Sequence, residues 1–107
     1  MVILLIEIMA SSQDYLAFVL ELLRNLSGIT YKKMMGEYIL YKDLIIFGGV
    51  YDNKFLTKKT PSIIEYGFKE VTPYPGAKPM LLIDIEDNDE IEQIVLKIIN
   101  DIKLGNK

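Results

Sequence analysis

The sequence predicts a single-domain α+β protein in which helices cover one face of a mostly antiparallel sheet. Two segments, one near each end of the chain, repeat apolar residues at helical spacing. Between them lie short β-rich runs separated by turn-forming residues. Such short connections favour antiparallel neighbours, because parallel strands need long crossovers. The predicted order is helix, strands, short helix, strand, helix.

The first predicted helix begins at Ser11, with Asp14 three residues later as its reciprocal capping partner. Apolar residues then recur at helical spacing as far as Leu26, and Ser27-Gly28 ends the helix. An apolar extension, residues 1–8, precedes it, and two interpretations stay open: an extra β-strand, or an upstream translation start. We expect a protein without residues 1–8 to keep its stability.

Four predicted strands follow and form an antiparallel meander. They are Thr30 to Met35, Glu37 to Tyr41, Ile45 to Tyr51 and Phe55 to Lys58. Gly36, Lys42-Asp43 and Asp52-Asn53-Lys54 supply the turns between them. Gly48-Gly49 falls inside the third strand, which indicates a bulge or room for a packed helix side chain more often than the close approach of a ligand or another backbone.

The second half of the chain predicts a short helix, a loop, a strand and a long helix. Thr60-Pro61-Ser62 begins the short helix, which ends at Gly67. A loop rich in proline runs from Val71 to Pro79, and Met80 to Ile85 forms the last strand. The long helix begins in the acidic block around Asp87, and its apolar residues follow the helical period: Ile91, Ile94, Val95, Ile98, Ile99 and Ile102.

The composition excludes several kinds of chemistry. The 107 residues include no Cys and no His, so thiolate nucleophiles, disulfides, imidazole bases and thiolate or imidazole metal sites are excluded. The net charge of -3 works against tight binding of a phosphate backbone. No apolar run reaches the roughly 18 residues that cross a bilayer, so we expect a cytoplasmic protein without membrane contact.

Two charged clusters invite functional interpretations that the spacing does not favour. The acidic block resembles a calcium loop, but counting from Asp84, Asp89 stands where such a loop needs Gly and Val95 where it needs Glu. Helix capping explains this block, and we expect no metal or other cofactor. Adjacent lysines on a strand point to opposite faces, which favours a solvated sheet edge over a nucleic-acid groove for Lys32, Lys33, Lys42, Lys54, Lys58 and Lys59.

The remaining candidate recognition elements are one loop and five of the seven tyrosines: Tyr38, Tyr41, Tyr51, Tyr66 and Tyr74. Tyr38 and Tyr41 lie on opposite sides of one strand, so the tyrosines are expected to half-bury on the sheet without forming one platform. Tyr74-Pro75-Gly76-Ala77 fits a type II turn, with Gly76 supplying the positive φ. Such a turn can simply deliver the last strand to the sheet. A rigid loop can also bind a partner, and Tyr74, Pro75, Gly76 and Lys78 are our candidate contact residues.

Three segments of the chain together resemble one protein family: Ala10 to Tyr15, Tyr31 to Tyr41 and Pro73 to Met80. They resemble the N-terminal domain of the TfoX/Sxy family of bacterial competence regulators, in its stand-alone form, over residues 9–107. The resemblance implies a fold similar to that of type III secretion chaperones, and it supplies no catalytic residues. The segment Lys42-Asp43-Leu44 lacks the turn glycine that this family often shows.

Three classes of function are compatible with these patterns, and we favour the first. It is a small non-catalytic cytosolic adaptor, or a transcription or competence co-regulator, that acts through protein contacts. The second is a small-ligand-binding or enzymatic domain, which requires Glu37, Asp52 and neighbouring tyrosines to converge in a pocket. The third is direct nucleic-acid binding, which requires most of the meander lysines on one face. We expect an unidentified protein partner or a homodimer, and no strong nucleic-acid binding.

Overall fold

The computed structural model, which describes residues 12–105, contains helices and a six-stranded sheet and confirms the α+β class. Helix α1 spans Gln13–Leu22, a 3₁₀ helix spans Pro61–Tyr66 and helix α2 spans Asn88–Lys103. The strands are β1 (Ile29–Met34), β2 (Glu37–Lys42), β3 (Ile45–Tyr51), β4 (Lys54–Thr57), β5 (Glu70–Val71) and β6 (Met80–Leu82). Their order in space is β1-β2-β3-β4-β6-β5, and all neighbours are antiparallel. The expected likeness to secretion chaperones stays a prediction.

Three two-residue hairpins build the meander from β1 to β4. Both turn residues have positive φ in each hairpin: Met35 and Gly36, Asp43 and Leu44, Asp52 and Asn53. This is the type I′ turn, whose twist matches that of the flanking strands. Positive φ at a non-glycine residue costs about 1–2 kcal/mol. The turn between β2 and β3 keeps this geometry although it contains no glycine.

Strand β3 contains a bulge directly before the first of its two glycines. Leu40 pairs with Gly48 while the next residue of β2 pairs with Ile46, which leaves Phe47 as the extra residue. A side chain on Gly48 would come within 2.3 Å of the carbonyl oxygen of Leu56 on β4. A bulge is therefore present, but its extra residue is Phe47, and Gly48 is explained by the close approach of the β4 backbone, which was the less favoured of the predicted causes.

The core lies between one face of the sheet and the helices, as predicted. The side chains of β2 alternate between buried and half-buried positions, and the buried ones face the helices. Helix α2 contributes its predicted apolar stripe, and Ile94, Val95 and Ile98 are completely buried. The helices and the 3₁₀ helix share one buried cluster with the sheet through Leu16, Val19, Leu22, Leu23, Tyr38, Leu40, Phe47, Val50, Phe55 and Ile63.

The N-cap of α1 is Ser12, one residue later than predicted. Its hydroxyl accepts a hydrogen bond from the amide of Tyr15 at 3.0 Å, and its own amide donates to the Asn53 side chain at 2.8 Å. The bond to Asn53 is a tertiary contact, which a local capping pattern does not reveal. Ser11 and the apolar extension at residues 1–8 lie outside the described residues.

Helix α1 ends at Leu22, one turn earlier than its apolar period predicts. The side-chain amide of Asn88, at the start of α2, donates to the backbone carbonyls of Glu21 and Leu22 at 3.3 and 3.0 Å. These carbonyls are among those that a helix end leaves without partners. Asn88 therefore satisfies the end of α1 and ties the two helices together.

The far end of α2 holds the 3₁₀ helix through the buried carboxylate of Asp101. Thr60, the N-cap of the 3₁₀ helix, makes no capping bond with its own side chain. Instead the Ser62 hydroxyl donates to Asp101 at 2.6 Å and the Ser62 amide at 2.9 Å. The hydroxyl bond is the main cause that keeps the pKa of Asp101 below its ordinary value, against the opposing effect of burial.

The region after the 3₁₀ helix differs from the prediction in two places. Val71 belongs to β5, a two-residue strand at the sheet edge, so the predicted loop begins one residue later. Strand β6 ends at Leu82 rather than at Ile85, although the Ile83 amide still donates to the carbonyl of Phe55 at 2.9 Å. Strands of two or three residues carry little periodicity, so the sequence does not show where β5 and β6 end.

Replacing Ile98 with Asp is expected to cost about 4 kcal/mol or more, or to prevent folding, because a carboxylate would replace a completely buried side chain. Urea unfolding measures the loss. Leu96→Asp is the control on the same helix, since Leu96 is 42% exposed. A soluble Ile98→Asp protein with the parent's stability would contradict the described core.

Asp101→Asn is expected to lower the free energy of unfolding by about 1–3 kcal/mol at neutral pH, because the amide cannot accept both bonds from Ser62. The folded pKa of Asp101 is lowered, so its carboxylate stabilises the fold above its ordinary pKa of 3.8. That contribution is lost as the pH falls towards the folded pKa. Parent and variant should therefore converge in acid, whereas a pH-independent difference would contradict the role of the charge. Asp84→Asn, at an exposed position, is the control.

Candidate functional site

The loop 72–79 adopts the turn predicted for it. The Ala77 amide donates to the Tyr74 carbonyl at 3.1 Å, and Gly76 has a φ of 87°. Both features are those of a type II turn with Pro75 at its second position. Tyr74, Pro75, Gly76 and Lys78 are all exposed. The four candidate contact residues thus lie on one rigid, accessible loop.

The sheet face opposite the helices is the candidate site, and we call it the open face. Cross-strand partners point to the same side, so the pairs Ile39 with Gly49, and Leu56 with Leu82, share this face. None of its side chains belongs to the buried cluster that the helices form with the sheet. Within residues 12–105, no helix covers it. Its apolar and aromatic members are Ile39, Tyr41, Ile46, Tyr51, Leu56, Met80 and Leu82. Ile46 is exposed, Leu56 is completely buried, and the other five are half-buried.

Tyr51 fills the gap that Gly49 leaves in the open face. A side chain on Gly49 would lie 2.7 Å from the Cε2 atom of the Tyr51 ring, so the ring rests against the glycine backbone. Such an aromatic ring over a glycine restores the packing that the glycine lacks. The carbonyl oxygen of Tyr38 on β2 would lie closer still, at 2.5 Å, so the second glycine is explained by the neighbouring backbone as well as by the Tyr51 ring.

Tyr74 of the loop lies within electrostatic range of Tyr51 on the open face. Burial raises the pKa of Tyr51 most, and the nearby Tyr74 and Glu37 raise it further. The structure thus brings Tyr74, the first of the candidate contact residues, close to the tyrosine on the sheet. Alternation in β3 could have placed Tyr51 on this face from the sequence, but nothing local links residue 51 to residue 74.

The acidic residues at this end of the face do not enclose a pocket. Glu37 accepts a hydrogen bond from the amide of Asp52 at 3.0 Å, and the carboxylate of Asp52 pairs with Lys54 at 3.0 Å. Both carboxylates therefore bind groups of the β3–β4 hairpin. Within residues 12–105, no group of three or more acidic side chains is arranged to hold a metal ion.

The other tyrosines divide between the two sides of the sheet. Tyr38 is 3% exposed and belongs to the core, so the expectation that it half-buries is wrong. Tyr38 and Tyr41 lie on opposite faces, as predicted. Tyr66 stacks on Phe68 at a centroid distance of 5.5 Å, on the side of the helices. Tyr41, Tyr51 and Tyr74 are the tyrosines that remain for the open face.

The meander lysines are not brought together on one face. Lys32 and Lys33 are neighbours on β1 and point to opposite sides. Lys42 is buried and pairs with Asp43 at 2.8 Å, and Lys59 pairs with Glu70 at 2.9 Å. These pairs neutralise much of the local positive charge, which a nucleic-acid groove would need.

An open cleft of about 390 Å³ lies on the other side of the molecule, at the start of α2. Lys97 donates to the Tyr66 hydroxyl at 2.8 Å, a bond that raises the pKa of Lys97. Asp87 accepts from the amide of Glu90 and caps α2, as the sequence predicts for the acidic block. These groups are thus engaged in holding the helix.

No helix within residues 12–105 has both the length and the apolar character that crossing a bilayer requires.

Comparison with models of known protein families finds no match for this chain. Among curated proteins, the chain is similar to a Spirochaeta aurantia protein described as the uncharacterized 12.7 kDa protein in trpE 5'region. The two are 35% identical over 79 residues, which is 71% of this chain and 68% of the Spirochaeta aurantia protein. Neither comparison tests the resemblance to the TfoX N-terminal domain, which stays a prediction.

Tyr74→Phe is expected to lower the pKa of Tyr51 towards its ordinary value of 10.0, because one of the neighbours that raise it is removed. The part caused by burial should persist. NMR titration of protein labelled at the tyrosine ζ carbons measures the change, and Tyr66→Phe is the control on the opposite side. An unchanged Tyr51 titration would show that Tyr74 does not influence Tyr51.

Proposed function

The chain belongs to the family of the Spirochaeta aurantia 12.7 kDa protein, and we propose that it is a small non-catalytic adaptor that binds another protein. The partner docks on the open face, beside the loop 72–79. The observation that carries the proposal is a sheet face with apolar and tyrosine side chains that no described helix covers.

The chemistry of the open face fits a protein partner. Monomeric soluble proteins rarely expose a contiguous apolar patch larger than a few hundred Å², and patches above that size mark interaction sites. Tyrosine is enriched at such sites, because its ring buries apolar area while its hydroxyl keeps a polar contact. Tyr41, Tyr51 and Tyr74 supply these rings, and Ile46 is 41% exposed among them.

The rigidity of the surface also supports binding. The side chains of the open face stand on paired strands, and the Tyr74 loop is held by a type II turn. A surface that is already ordered loses less conformational entropy when a partner binds.

The resemblance to the TfoX N-terminal domain supports a regulatory role for this adaptor, such as transcription or competence co-regulation in the cytoplasm. A small-ligand or enzymatic role has less support, because Glu37 and Asp52 are engaged in the β3–β4 hairpin and the cleft lies elsewhere. Direct nucleic-acid binding also has less support, since Lys42, Lys54 and Lys59 are paired with carboxylates.

Ile46→Lys is expected to reduce partner recovery about tenfold or more, because a charge would enter the apolar contact at a cost of roughly 1.4 kcal/mol or more. The measurement is quantitative capture from lysate with tagged parent and variants. Leu96→Lys is the matched control, since Leu96 is 42% exposed and lies on α2. Both variants should keep the parent's stability within about 0.5 kcal/mol.

Tyr74→Ala and Lys78→Glu test the loop in the same capture experiment. Loss of the partner in these two variants and in Ile46→Lys, but not in Leu96→Lys, supports the adaptor proposal. Equal recovery by every variant would mean that the loop is only a turn and that the open face does not bind. If the parent recovers no partner while a metabolite raises its melting temperature, the small-ligand alternative replaces the proposal.

A further inference from the structure

Strand β1 leaves one edge of the sheet unpaired among the described residues, and the hairpin geometry shows which of its backbone groups face outward. Met34 and Glu37 flank a two-residue turn, so they form a hydrogen-bonded pair. Hydrogen-bonded pairs alternate along an antiparallel ladder, so Thr30 and Lys32 also bond to β2. Consistently, the carbonyl of Gly28 accepts from the amide of Asp43 at 2.9 Å.

The residues between them therefore present their N–H and C=O groups to the free edge. These are Ile29, Tyr31 and Lys33. Tyr31 is 51% exposed, and β1 contains no proline and no glycine that would interrupt pairing. Such an edge is a template for another strand only in a register that keeps its lysines apart, because lysines at an edge oppose pairing.

We propose that β1 pairs antiparallel with β1 of a second copy of this chain, about a two-fold axis at Tyr31. In this register Tyr31 faces Tyr31 of the second copy, and Ile29 faces Lys33 in both directions. Each of the three pairs exchanges two hydrogen bonds, so all the outward N–H and C=O groups of β1 are satisfied. The interface is isologous, as a closed dimer requires.

The charges of β1 fit this register and oppose others. Lys32 faces Thr30 and Lys33 faces Ile29, so no lysine opposes a lysine. A register centred on Lys33 would place the two Lys33 side chains directly opposite each other, which is destabilising. The lysines therefore discriminate between registers, as charged groups do at specific interfaces.

Asp43 supplies the complementary charge at each end of the dimer. Its carboxylate lies directly against Gly28, because a side chain on Gly28 would overlap the Oδ1 atom of Asp43. Gly28 precedes Ile29, the residue that Lys33 of the second copy faces. Asp43 is 55% exposed and already pairs with Lys42 on the face that Lys33 shares. Each Lys33 thus lies beside an opposite charge of its partner.

The test compares two substitutions at Tyr31 by sedimentation equilibrium. Tyr31→Pro removes the outward N–H, which β1 does not use for pairing with β2, and proline is tolerated in edge strands at such positions. Tyr31→Ser removes the same ring but keeps the N–H. The parent and Tyr31→Ser are expected to dimerise and Tyr31→Pro to be monomeric. A parent that stays monomeric up to about 1 mM, or a Tyr31→Pro dimer, overturns the proposal.

Two further measurements, charge substitutions at the lysines and hydrogen exchange of backbone amides, test the proposal even if Tyr31→Pro does not fold. Lys33→Glu should weaken the dimer several-fold, because it brings the new carboxylate beside Asp43 of the second copy. Lys32→Glu faces Thr30 and should not weaken the dimer. Hydrogen exchange of the parent should show amide protection of Tyr31 and Lys33 that rises with protein concentration. Equal effects of the two lysine variants, or protection independent of concentration, contradict the proposed register. None of these measurements involves the partner of the open face.

Discussion

The carboxylate of Asp101 connects α2 to the part of the chain that builds the candidate site. It accepts two bonds from Ser62 and so fixes the start of the 3₁₀ helix. From the 3₁₀ helix the chain continues to β5, crosses the loop with Tyr74 and enters β6. The position of Tyr74 relative to Tyr51 therefore depends on a contact that lies on the opposite side of the sheet.

Asn88 makes the corresponding connection at the other end of α2. It binds the carbonyls that end α1, so α2 is anchored to a different element at each terminus. Both anchors are polar, and both satisfy backbone groups that a helix end or start leaves open. Apolar packing places α2 on the sheet, and these two anchors restrict its sliding and rotation there.

The parts of the fold with a strong local period could be predicted from the sequence. The stripe of α2 and the turns at Gly36 and Asp52-Asn53 are visible in the residues themselves, and the structure places them as expected. What depends on tertiary contacts was not visible. The choice of Ser12 as the cap depends on Asn53, and the early end of α1 coincides with the bonds from Asn88.

The candidate site shows the same limit. The type II turn at Pro75-Gly76 could be read from residue types, and the exposure of Tyr74 follows from it. That this tyrosine lies near Tyr51 could not be read, because the two are joined through β6, which inserts between β4 and β5. Sequence patterns report which side of a strand a residue faces, whereas strand order decides which loops border that side.

The chain order of the sheet has a consequence for how the protein folds during synthesis. Strands β1 to β4 are joined by two-residue turns, so their contacts are local and can form early. Helix α2, which closes the core, follows all six strands in the chain. A nascent meander therefore exposes apolar side chains on both of its faces until α2 leaves the ribosome. During this interval the transiently exposed apolar surface favours aggregation of the nascent chain.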